Sequence, residues 1–379
     1  MSISESTPRE VYLTGTGLFT PGESISNAEL VESFNAFVDL YNDEHHAAIA
    51  SGELEALQYS SVEFIEKASG IKSRFVMNKS GILDPRRMAP SIPERANSDP
   101  SVMCEMAIAA SREALERAGI GPQDVDAVLC AASNMQRAYP AMAVEIQSAL
   151  GIDGFAFDMN VACSSATFGV QQARDAILAG SARTVLMVNP EICTGHLNFR
   201  DRDSHFIFGD VCTAVVLSDR PGPGEANFRV LDSRLRTIFS NNIRNNFGFL
   251  NRGDESGIGA PDKLFVQEGR KVFKEVCPAV AEQITTQLAE LGMQAEDLRR
   301  LWLHQANLNM NQLIARRVLG RDPDPEEAPV ILDRYANTSS AGSVIALHLH
   351  HADLDSGDRG VLCSFGAGYS IGSVILERC

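Results

Sequence analysis

The spacing of apolar residues changes abruptly around residue 163, and this change predicts two adjoining elements. In FAFDMNV (155–161) every second residue is apolar, which is the period of a strand. In SSATFGVQQARDAILAG (164–180) the apolar residues recur at the three- to four-residue spacing of a helix, which Gly180 ends. The pattern therefore places Cys163 where a strand turns into the N-terminus of a helix.

The same order of predicted elements occurs twice along the chain. Five pairs of segments correspond, namely helices 106–120 and 280–293, strands 124–133 and 297–307, helices 144–152 and 311–320, turns 157–173 and 331–347, and strand segments 182–192 and 358–376. Five correspondences in one order indicate a duplicated α/β unit. Strands that alternate with helices predict mostly parallel sheets covered by helices. The Pro- and Gly-rich stretch 218–227 is the predicted boundary between the units.

The repeat predicts a site before any family is considered. Cys163 and Asn337 occupy corresponding places in it, and His304 ends the strand that precedes Asn337. If the two halves pack about a pseudo-twofold axis, the two helix starts approach one another. We therefore expect Cys163, His304 and Asn337 to meet at the interface between the halves.

Composition and charge exclude several classes of protein. The chain of 379 residues has no run of about 18 apolar residues, and its first ten residues lack a secretory pattern, so we expect no membrane span and no signal peptide. Its eight cysteines form no CxxC pair, which favours reduced thiols in the cytoplasm over disulfides or a zinc site. We interpret His348, His350 and His351 as a solvated helix face, with no metal. The net charge of −16 disfavours nucleic acid as a partner.

The chain resembles the β-ketoacyl-acyl-carrier-protein synthase III family of the thiolase superfamily. The motifs that carry this resemblance are Cys163 in its turn of small residues, HQAN (304–307), ANTSSA (336–341), FGAGYSIG (365–372), IFGD (207–210) and VFKEV (272–276). One departure is Ala367, which stands at the middle position of a turn that usually reads GGG in the family. The others are extra residues around 35–58 and 78–97.

The resemblance implies a thiolase-like α/β fold. Two duplicated halves, each with a mostly parallel five-stranded sheet, would form αβαβα layers. Residues 1–220 would be the half with Cys163 and the inserted segments, and residues 226–379 the half with His304 and Asn337.

The resemblance also implies roles for the site residues. Cys163 takes an acyl group from a thioester, and a helix N-terminus is expected to lower the pKa of such a thiol. His304 and Asn337 donate hydrogen bonds to the enolate that decarboxylation of a malonyl thioester leaves. The backbone N–H groups of Cys163 and Ala367 form the oxyanion hole of the acyl-transfer step. For Asn337, the alternative interpretation is ordinary capping of its helix.

Three groups of binding residues follow from the same resemblance. A coenzyme A channel is lined by Phe64, Arg202, Phe208, Gly269, Phe273 and Asn307. In this channel Phe64 replaces a stacking Trp and Ala68 replaces an Arg, which leaves open whether coenzyme A or carrier protein donates the primer. Lys274, Arg316 and Arg317 form a docking patch for acyl carrier protein, unless they are a solvated helix face. Tyr139 reaches across a homodimer to close the partner's acyl pocket, or packs locally.

The predicted function is a decarboxylative Claisen condensation in fatty acid synthesis, in which an acyl-CoA primer reacts with malonyl-acyl carrier protein. We expect no metal or redox cofactor, with coenzyme A only as a substrate thioester. Apolar residues of the inserted segments (Phe37, Leu40, Leu54, Leu57 and Met88) favour a medium-chain primer such as octanoyl-CoA if they wall the acyl path. The alternatives are a polyketide-type or head-to-head acyl condensing enzyme, an acyl-thioester hydrolase, a thiolase that uses Cys363, and a non-catalytic acyl-binding protein.

Overall fold

The computed structural model describes residues 9–224, 227–257 and 259–379. The strands are β1 Tyr12–Phe19, β2 Glu23–Ser26, β3 Ser73–Val76, β4 Ala127–Ala131, β5 Phe155–Met159, β6 Thr184–Ile192, β7 Asp210–Ser218, β8 Phe228–Ser240, β9 Ile243–Arg244, β10 Val266–Gln267, β11 Leu298–Leu303, β12 Arg359–Gly366 and β13 Gly368–Arg378. The helices are α1 Asn27–Glu44, α2 His46–Ser51, α3 Val62–Ser69, α4 Lys79–Leu83, α5 Val102–Ala118, α6 Met142–Leu150, α7 Ser165–Ala179, α8 Gly269–Glu290, α9 Leu308–Leu319, α10 Leu332–Tyr335 and α11 Gly342–Leu349.

Nine of these strands form one sheet, in the order β11-β12-β13-β8-β1-β7-β6-β4-β5. In the first half β1, β4, β5 and β6 run in one direction, and β7 runs antiparallel to its neighbours β1 and β6. In the second half β8, β11 and β12 share a direction and β13 opposes them. Each half is therefore mostly parallel with one reversed strand. Two residue pairs between β1 and β8 join the halves.

In the described part of the chain, the second half contributes four strands to the large sheet (β8, β11, β12 and β13), one fewer than the five predicted, while β9 and β10 form a separate pair. The segment before Asn337 forms the short helix α10, in which the N–H groups of Tyr335 and Ala336 donate to the carbonyls of Ile331 and Leu332. Leu332 and Tyr335 are buried, and this requires the helical turn rather than an extended backbone.

Helices cover both faces of each half-sheet and form the predicted layers. The apolar residues of α7 and α11 pack together with residues from the strands of both halves, so these helices form the middle layer. Helices α5 and α6 pack on the outer face of the first half-sheet, and α8 and α9 on that of the second. The burial of four apolar surfaces in this way makes hydrophobic contact the main stabilising force of the arrangement.

The backbone conformation aligns the two repeats differently from the sequence prediction. Val161 and Thr338 have similar dihedral angles, and the residues that follow them, Ala162 and Ser339, have φ values of +47° and +50°. A short 3₁₀ turn then leads into α7 and α11. Cys163 therefore corresponds to Ser340 and not to Asn337. Cys163 lies in the turn that ends one residue before α7, whereas Asn337 precedes the corresponding turn before α11.

Two of the three histidines that we interpreted as solvated are buried, so this interpretation is wrong. His348 Nδ1 lies 2.9 Å from the Thr16 hydroxyl, and His351 packs edge-on against Phe228. The helix α11 lies in the middle layer, where its polar residues face neighbouring elements rather than water.

Some sequence predictions fall outside what the structure describes. The predicted boundary between residues 220 and 226 includes residues 225 and 226, which lie outside the described residues, so the division into 1–220 and 226–379 stays a prediction. Within the described ranges, no helix is both long and apolar enough to cross a membrane. Those same ranges contain no cluster of three metal-binding side chains.

Candidate active site

Cys163 lies in the 3₁₀ turn between β5 and α7. The preceding residue Ala162 has a left-handed backbone (φ +47°), which is strained for a residue with a side chain and is typical of functional turns. The turn is tied to the second half because the Ser164 hydroxyl donates to the Ser370 carbonyl at 3.0 Å. The strand-to-helix junction predicted from the sequence is therefore present, and the opposite half supports it.

The environment of the thiol differs from the sequence prediction. Burial raises the pKa of Cys163 to about 11, while the Ser339 hydroxyl, which donates to Cys163 Sγ at 3.4 Å, acts in the opposite direction. The expectation of a thiol pKa lowered by the helix N-terminus is wrong, because desolvation of the thiolate outweighs the favourable contacts. The resting residue is a neutral thiol.

The glycine-rich turn between β12 and β13 lies directly against Cys163. A methyl group added at Gly366 would lie 2.7 Å from Cys163 Cβ and 3.2 Å from Sγ, so only glycine fits. In the residues that follow, the left-handed conformation falls on Gly368 (φ +132°) and not on Ala367. Alanine is therefore accommodated at the position where the family usually has a glycine.

His304 follows β11 and is buried. Its main-chain N–H donates to the Cys363 carbonyl at 2.8 Å, and its ring stands edge-on to Phe365 with 5.2 Å between ring centroids. Nδ1 has no hydrogen-bond partner among the described residues, and burial lowers the pKa of His304 to about 3. The ring is therefore neutral at pH 7 and carries one N–H donor.

Asn337 is held by both its backbone and its side chain. Its N–H donates to the Ile207 carbonyl at 2.9 Å, and its carbonyl accepts from the Gly209 N–H at 3.1 Å. Asn337 Oδ1 accepts from the Ser339 N–H at 2.8 Å, so the amide NH₂ is left as the donor on the other side. The side chain bonds within its own turn, but the N-cap of α11 is Ala341, so the alternative interpretation of Asn337 as an ordinary helix cap is wrong.

Cys163, His304 and Asn337 line one cavity of about 430 Å³. Five phenylalanines contribute to its wall, namely Phe206, Phe208, Phe265, Phe273 and Phe365. Exposed polar residues mark its mouth, among them Asp203, Gln267, Arg270 and Asn309. The site is thus an apolar channel that ends at a thiol, a neutral imidazole and an amide. The expectation that these three residues meet is met by the structure.

Four of the predicted channel residues line this cavity, and two do not. Phe208, Gly269, Phe273 and Asn307 are part of the wall. The Asn307 amide also donates to the Ala68 carbonyl at 2.7 Å and caps α9.

Phe64 and Arg202 instead stack on each other outside the cavity wall. The Arg202 guanidinium carbon lies 4.1 Å from the centre of the Phe64 ring, and Arg202 Nε donates to the Tyr59 carbonyl at 2.7 Å. The guanidinium therefore covers one face of the ring, and a base that stacks on that face must first displace it.

Tyr139 is also absent from this cavity wall. It is 85% exposed, so it does not pack locally, and it lines a separate surface groove together with residues 94–101. Phe155 and Phe157 on the edge strand β5 are also exposed, each at 42%. This side of the molecule is an unusually apolar surface beside an unpaired strand edge.

The predicted docking residues lie exposed on the packed helices α8 and α9, but they are not equivalent. Arg316 Nε pairs with Asp322 at 2.5 Å, which reduces the charge that it presents to a partner. No ion pair involves Lys274 or Arg317 within the described residues. These two side chains are the better candidates for contact with an acidic protein.

The inserted segments do not line the cavity. Phe37, Leu57 and Met88 pack with α1, α3 and the Phe206–Phe208 segment in a fourth apolar cluster, and Leu54 is 39% exposed. The interpretation that these residues wall the acyl path is wrong, because none of the five, Leu40 included, lines the cavity that contains Cys163.

Glu191, at the end of β6, is a buried site residue that the sequence analysis missed. Its carboxylate accepts from the N–H groups of Ser133 (2.9 Å) and Ser340 (3.2 Å), and both serine hydroxyls also donate to it. The signal was available, because Glu191 is the one acid in the apolar strand TVLMVNPEI.

Comparisons with known proteins agree with this geometry. Residues 157–238 match the family described as 3-Oxoacyl-[acyl-carrier-protein (ACP)] synthase III, and residues 288–378 match its C-terminal region. The chain is 68% identical over 349 residues to the β-ketodecanoyl-[acyl-carrier-protein] synthase of Pseudomonas aeruginosa. The aligned region covers 92% of this chain and 100% of that protein. It is 30% identical over 333 residues to the β-ketoacyl-[acyl-carrier-protein] synthase III of Agrobacterium fabrum, with 87% and 94% covered.

Solved structures show the same fold. The crystal structure of the 3-oxoacyl-(acyl carrier protein) synthase III of Pseudomonas aeruginosa superposes with a TM-score of 0.75 at 23% identity, over 97% of this chain and 98% of that one. The predicted thiolase-like fold is confirmed.

Proposed function

The chain belongs to the 3-oxoacyl-[acyl-carrier-protein] synthase III family, and from this premise we propose that it condenses an eight-carbon acyl primer with malonyl-acyl carrier protein. It is an acyl-transferring condensing enzyme of fatty acid synthesis. The observation that carries the proposed chemistry is the single cavity shared by Cys163, His304 and Asn337.

In the first half-reaction Cys163 attacks the primer thioester. The neutral thiol loses its proton as sulfur bonds to the carbonyl carbon, and the proton leaves with the departing coenzyme A thiol. The carbonyl oxygen becomes negative in the transition state, and the N–H groups of Cys163 and Ala367 stabilise it there. Contact of Gly366 with Cys163 supports this assignment, since it brings the Ala367 peptide beside the sulfur.

In the second half-reaction the malonyl thioester loses CO₂. The electron pair of the broken C–C bond forms an enolate, whose oxygen accepts hydrogen bonds from the His304 ring and the Asn337 amide. Two neutral donors suit this task, because they stabilise charge without protonating the carbanion. The enolate carbon then attacks the acyl carbonyl carbon, the C–S bond to Cys163 breaks, the β-ketoacyl product leaves, and the released thiolate takes a proton from solvent to regenerate the thiol.

The primer length rests on a relative and on the cavity. The product in the name of the Pseudomonas aeruginosa relative, β-ketodecanoyl, has ten carbons, two of which come from malonate, so the primer of that enzyme has eight. In this chain the apolar cavity wall can bury methylene groups, each worth about 0.8 kcal/mol. We assign the same primer to this chain.

Coenzyme A is the proposed primer donor, and malonyl-acyl carrier protein is the proposed partner at the patch of Lys274 and Arg317. Binding of the adenine ring against Phe64 requires Arg202 to move from its present stacked position. No metal or redox cofactor enters either half-reaction. A cytoplasmic location stays a prediction from the free thiols.

A second copy of the chain is the proposed cover for the apolar edge formed by Tyr139, Phe155 and Phe157. Antiparallel pairing of two β5 edges would bury both phenylalanines and leave Tyr139 free to reach the partner. Sedimentation of the protein at the mass of a monomer would rule this out.

The primer proposal is tested by mass spectrometry after incubation with acetyl- to dodecanoyl-CoA. We expect an octanoyl adduct on Cys163 to form fastest, no adduct in Cys163→Ala, and β-ketodecanoyl-carrier protein after addition of malonyl-acyl carrier protein. The buried Cys363→Ala variant is the matched control and should acylate normally. A preference for acetyl-CoA, or a product formed from two acyl-CoA molecules, would refute the proposal.

A further inference from the structure

One buried carboxylate joins the two halves of the molecule next to the site. Glu191 is 1% exposed and lies at the end of β6 in the first half. Its carboxylate accepts hydrogen bonds from the N–H and hydroxyl of Ser133, which follows β4. It also accepts hydrogen bonds from the N–H and hydroxyl of Ser340, which belongs to the second half. A carboxylate shared in this way holds two segments at a defined separation.

The Ser340 turn carries two contacts that matter for the chemistry. The neighbouring Ser339 donates its hydroxyl to Cys163 Sγ, and its N–H holds Asn337 Oδ1. The position of this turn therefore sets where the Asn337 amide lies relative to the thiol. The backbone of Asn337 is also bonded to Ile207 and Gly209 of the first half, so the Ser340 turn fixes the other side of the same segment, where the Ser339 contacts lie.

We propose that Glu191 is a positioning residue, which clamps Ser340 onto the ends of β4 and β6 and thereby sets the spacing between the Cys163 thiol and the Asn337 amide. This inference rests on the proposed function, since it assumes that these two groups act in one reaction. Glu191 does not itself touch the reacting atoms.

The surroundings of Glu191 determine what its charge does. The titratable groups near it are the thiols Cys130, Cys163, Cys193 and Cys212, and Cys193 Sγ lies 3.8 Å from its carboxylate. Within the described residues, no cation forms an ion pair with it. Burial raises the pKa of Glu191 to about 7, so above that pH its negative charge opposes ionisation of Cys163, which adds to the effect of burial.

The clamp is tested by steady-state kinetics on three variants. Glu191→Ala removes every contact, and we expect kcat for condensation to fall about 10- to 100-fold, the range that misplacement of about 1 Å produces. Glu191→Gln keeps one acceptor oxygen and the side-chain volume, so it should recover most of that loss. Ser340→Ala keeps the N–H contact but loses the hydroxyl, so its kcat should lie between those of Glu191→Ala and Glu191→Gln.

The matched control is Ser343→Ala, three residues beyond Ser340. Its hydroxyl also makes a buried hydrogen bond, to Ser364 at 2.8 Å, but does not contact Glu191. We expect this variant to lower the Tm and to leave kcat unchanged. If Ser343→Ala lowers kcat as much as Ser340→Ala, Glu191 is only one of many structural contacts and the proposal fails.

A second readout needs no acyl substrate. Alkylation of Cys163 by iodoacetamide, followed against pH, reports the thiol pKa directly, and Glu191→Gln should shift its profile to lower pH. An unchanged profile would contradict the effect of the Glu191 charge on Cys163, and wild-type kcat in Glu191→Ala overturns the clamp. If Glu191→Ala does not fold, Ser340→Ala decides the outcome, and wild-type kcat in that variant overturns the clamp. If octanoyl-CoA is not a primer, the kcat ratios are measured with whichever acyl-CoA acylates Cys163 fastest, so the two failures are distinguishable.

Discussion

Burial, rather than an ionic partner, determines the protonation of the two residues that define the proposed chemistry. It raises the pKa of Cys163 to about 11 and lowers that of His304 to about 3, so both are neutral at pH 7. A neutral imidazole beside a neutral thiol differs from a thiolate–imidazolium pair, which would be reactive without substrate. The proton of Cys163 then moves only when an acyl carbonyl is in place.

The two half-reactions can be distinguished experimentally because they are proposed to use different hydrogen-bond donors. Replacement of His304 or Asn337 by Ala should slow condensation about 10²- to 10³-fold, the usual effect of removing one donor to a developing oxyanion. Acylation of Cys163 by octanoyl-CoA should fall far less, because the proposed donors of that step are backbone N–H groups. Single-turnover acylation and steady-state condensation measure the two rates, and equal losses in both would mean that these side chains activate the thiol instead.

At the scale of elements, the site is assembled from turns that the sheet ends present to each other. The turn after β5 carries Cys163, and the turn between β12 and β13 approaches it so closely that Gly366 has no room for a side chain. The segment that follows α10 is held against residues 207–209, which lead into β7, by two hydrogen bonds of the Asn337 backbone. None of these contacts lies within one element.

The close approach of two turns predicts a steric defect. Gly366→Ala places a carbon 2.7 Å from Cys163 Cβ, so one turn must shift, and we expect acylation to fall at least about 10-fold with a loss of stability of about 1–3 kcal/mol. Gly22→Ala is the matched control, since a side chain there meets no atom within 4 Å. Acylation rates and urea unfolding give both quantities. Normal acylation in Gly366→Ala would show that the turn is not part of the oxyanion hole.

At the scale of the whole molecule, a strongly acidic chain is expected to receive an acidic carrier protein. The net charge of −16 would repel such a partner unless local positive charge guides it to the cavity mouth. Lys274 and Arg317 lie on the helices beside that mouth, and Arg316 is partly neutralised by Asp322. The local field, rather than the net charge, is therefore what a partner meets.

Charge reversal tests this surface. In Lys274→Glu with Arg317→Glu, we expect KM for malonyl-acyl carrier protein to rise roughly 10-fold at low ionic strength, with added salt narrowing the difference. Cys163 acylation by acyl-CoA should not change. Arg220→Glu reverses an exposed charge on another face and controls for the overall change in charge. A double variant with unchanged carrier-protein kinetics would exclude this patch.

Histidines with lowered pKa values predict acid sensitivity. Burial lowers the pKa values of His205 and His304 to about 3 and those of His196 and His348 to about 4, against about 6.5 in the unfolded chain. At pH values between the folded-state pKa and 6.5, the unfolded state binds more protons than the folded state. The contribution of these histidines to stability is therefore complete above pH 6.5 and is lost as the pH falls towards 4.

The measurement is the free energy of unfolding in urea at pH 7, 6 and 5. His205→Gln should lose stability less steeply with acid than the wild type, since it lacks one of these groups, and a variant at the exposed His46 is the matched control. Comparison with the wild type isolates His205 from Glu191 and Asp210, whose raised pKa values act in the opposite sense. If the free energy of unfolding falls with pH as steeply in His205→Gln as in the wild type, the lowered pKa assigned to His205 is contradicted.

Local patterns were sufficient for the elements on either side of Cys163 and for the choice of the three residues that share the cavity. Period-two and period-3.6 spacing predicted β5 and α7, glycine ended the helix, and motifs carried Cys163, His304 and Asn337, because these signals depend on neighbours along the chain. The tertiary structure decided the rest. The repeat register, the Arg202 stack on Phe64, the burial of His348, the raised pKa of Cys163 and the Glu191 contact with Ser340 all depend on groups far apart in sequence. Desolvation and hydrogen bonding between the two halves exist only once the halves have packed, and no local spacing encodes them.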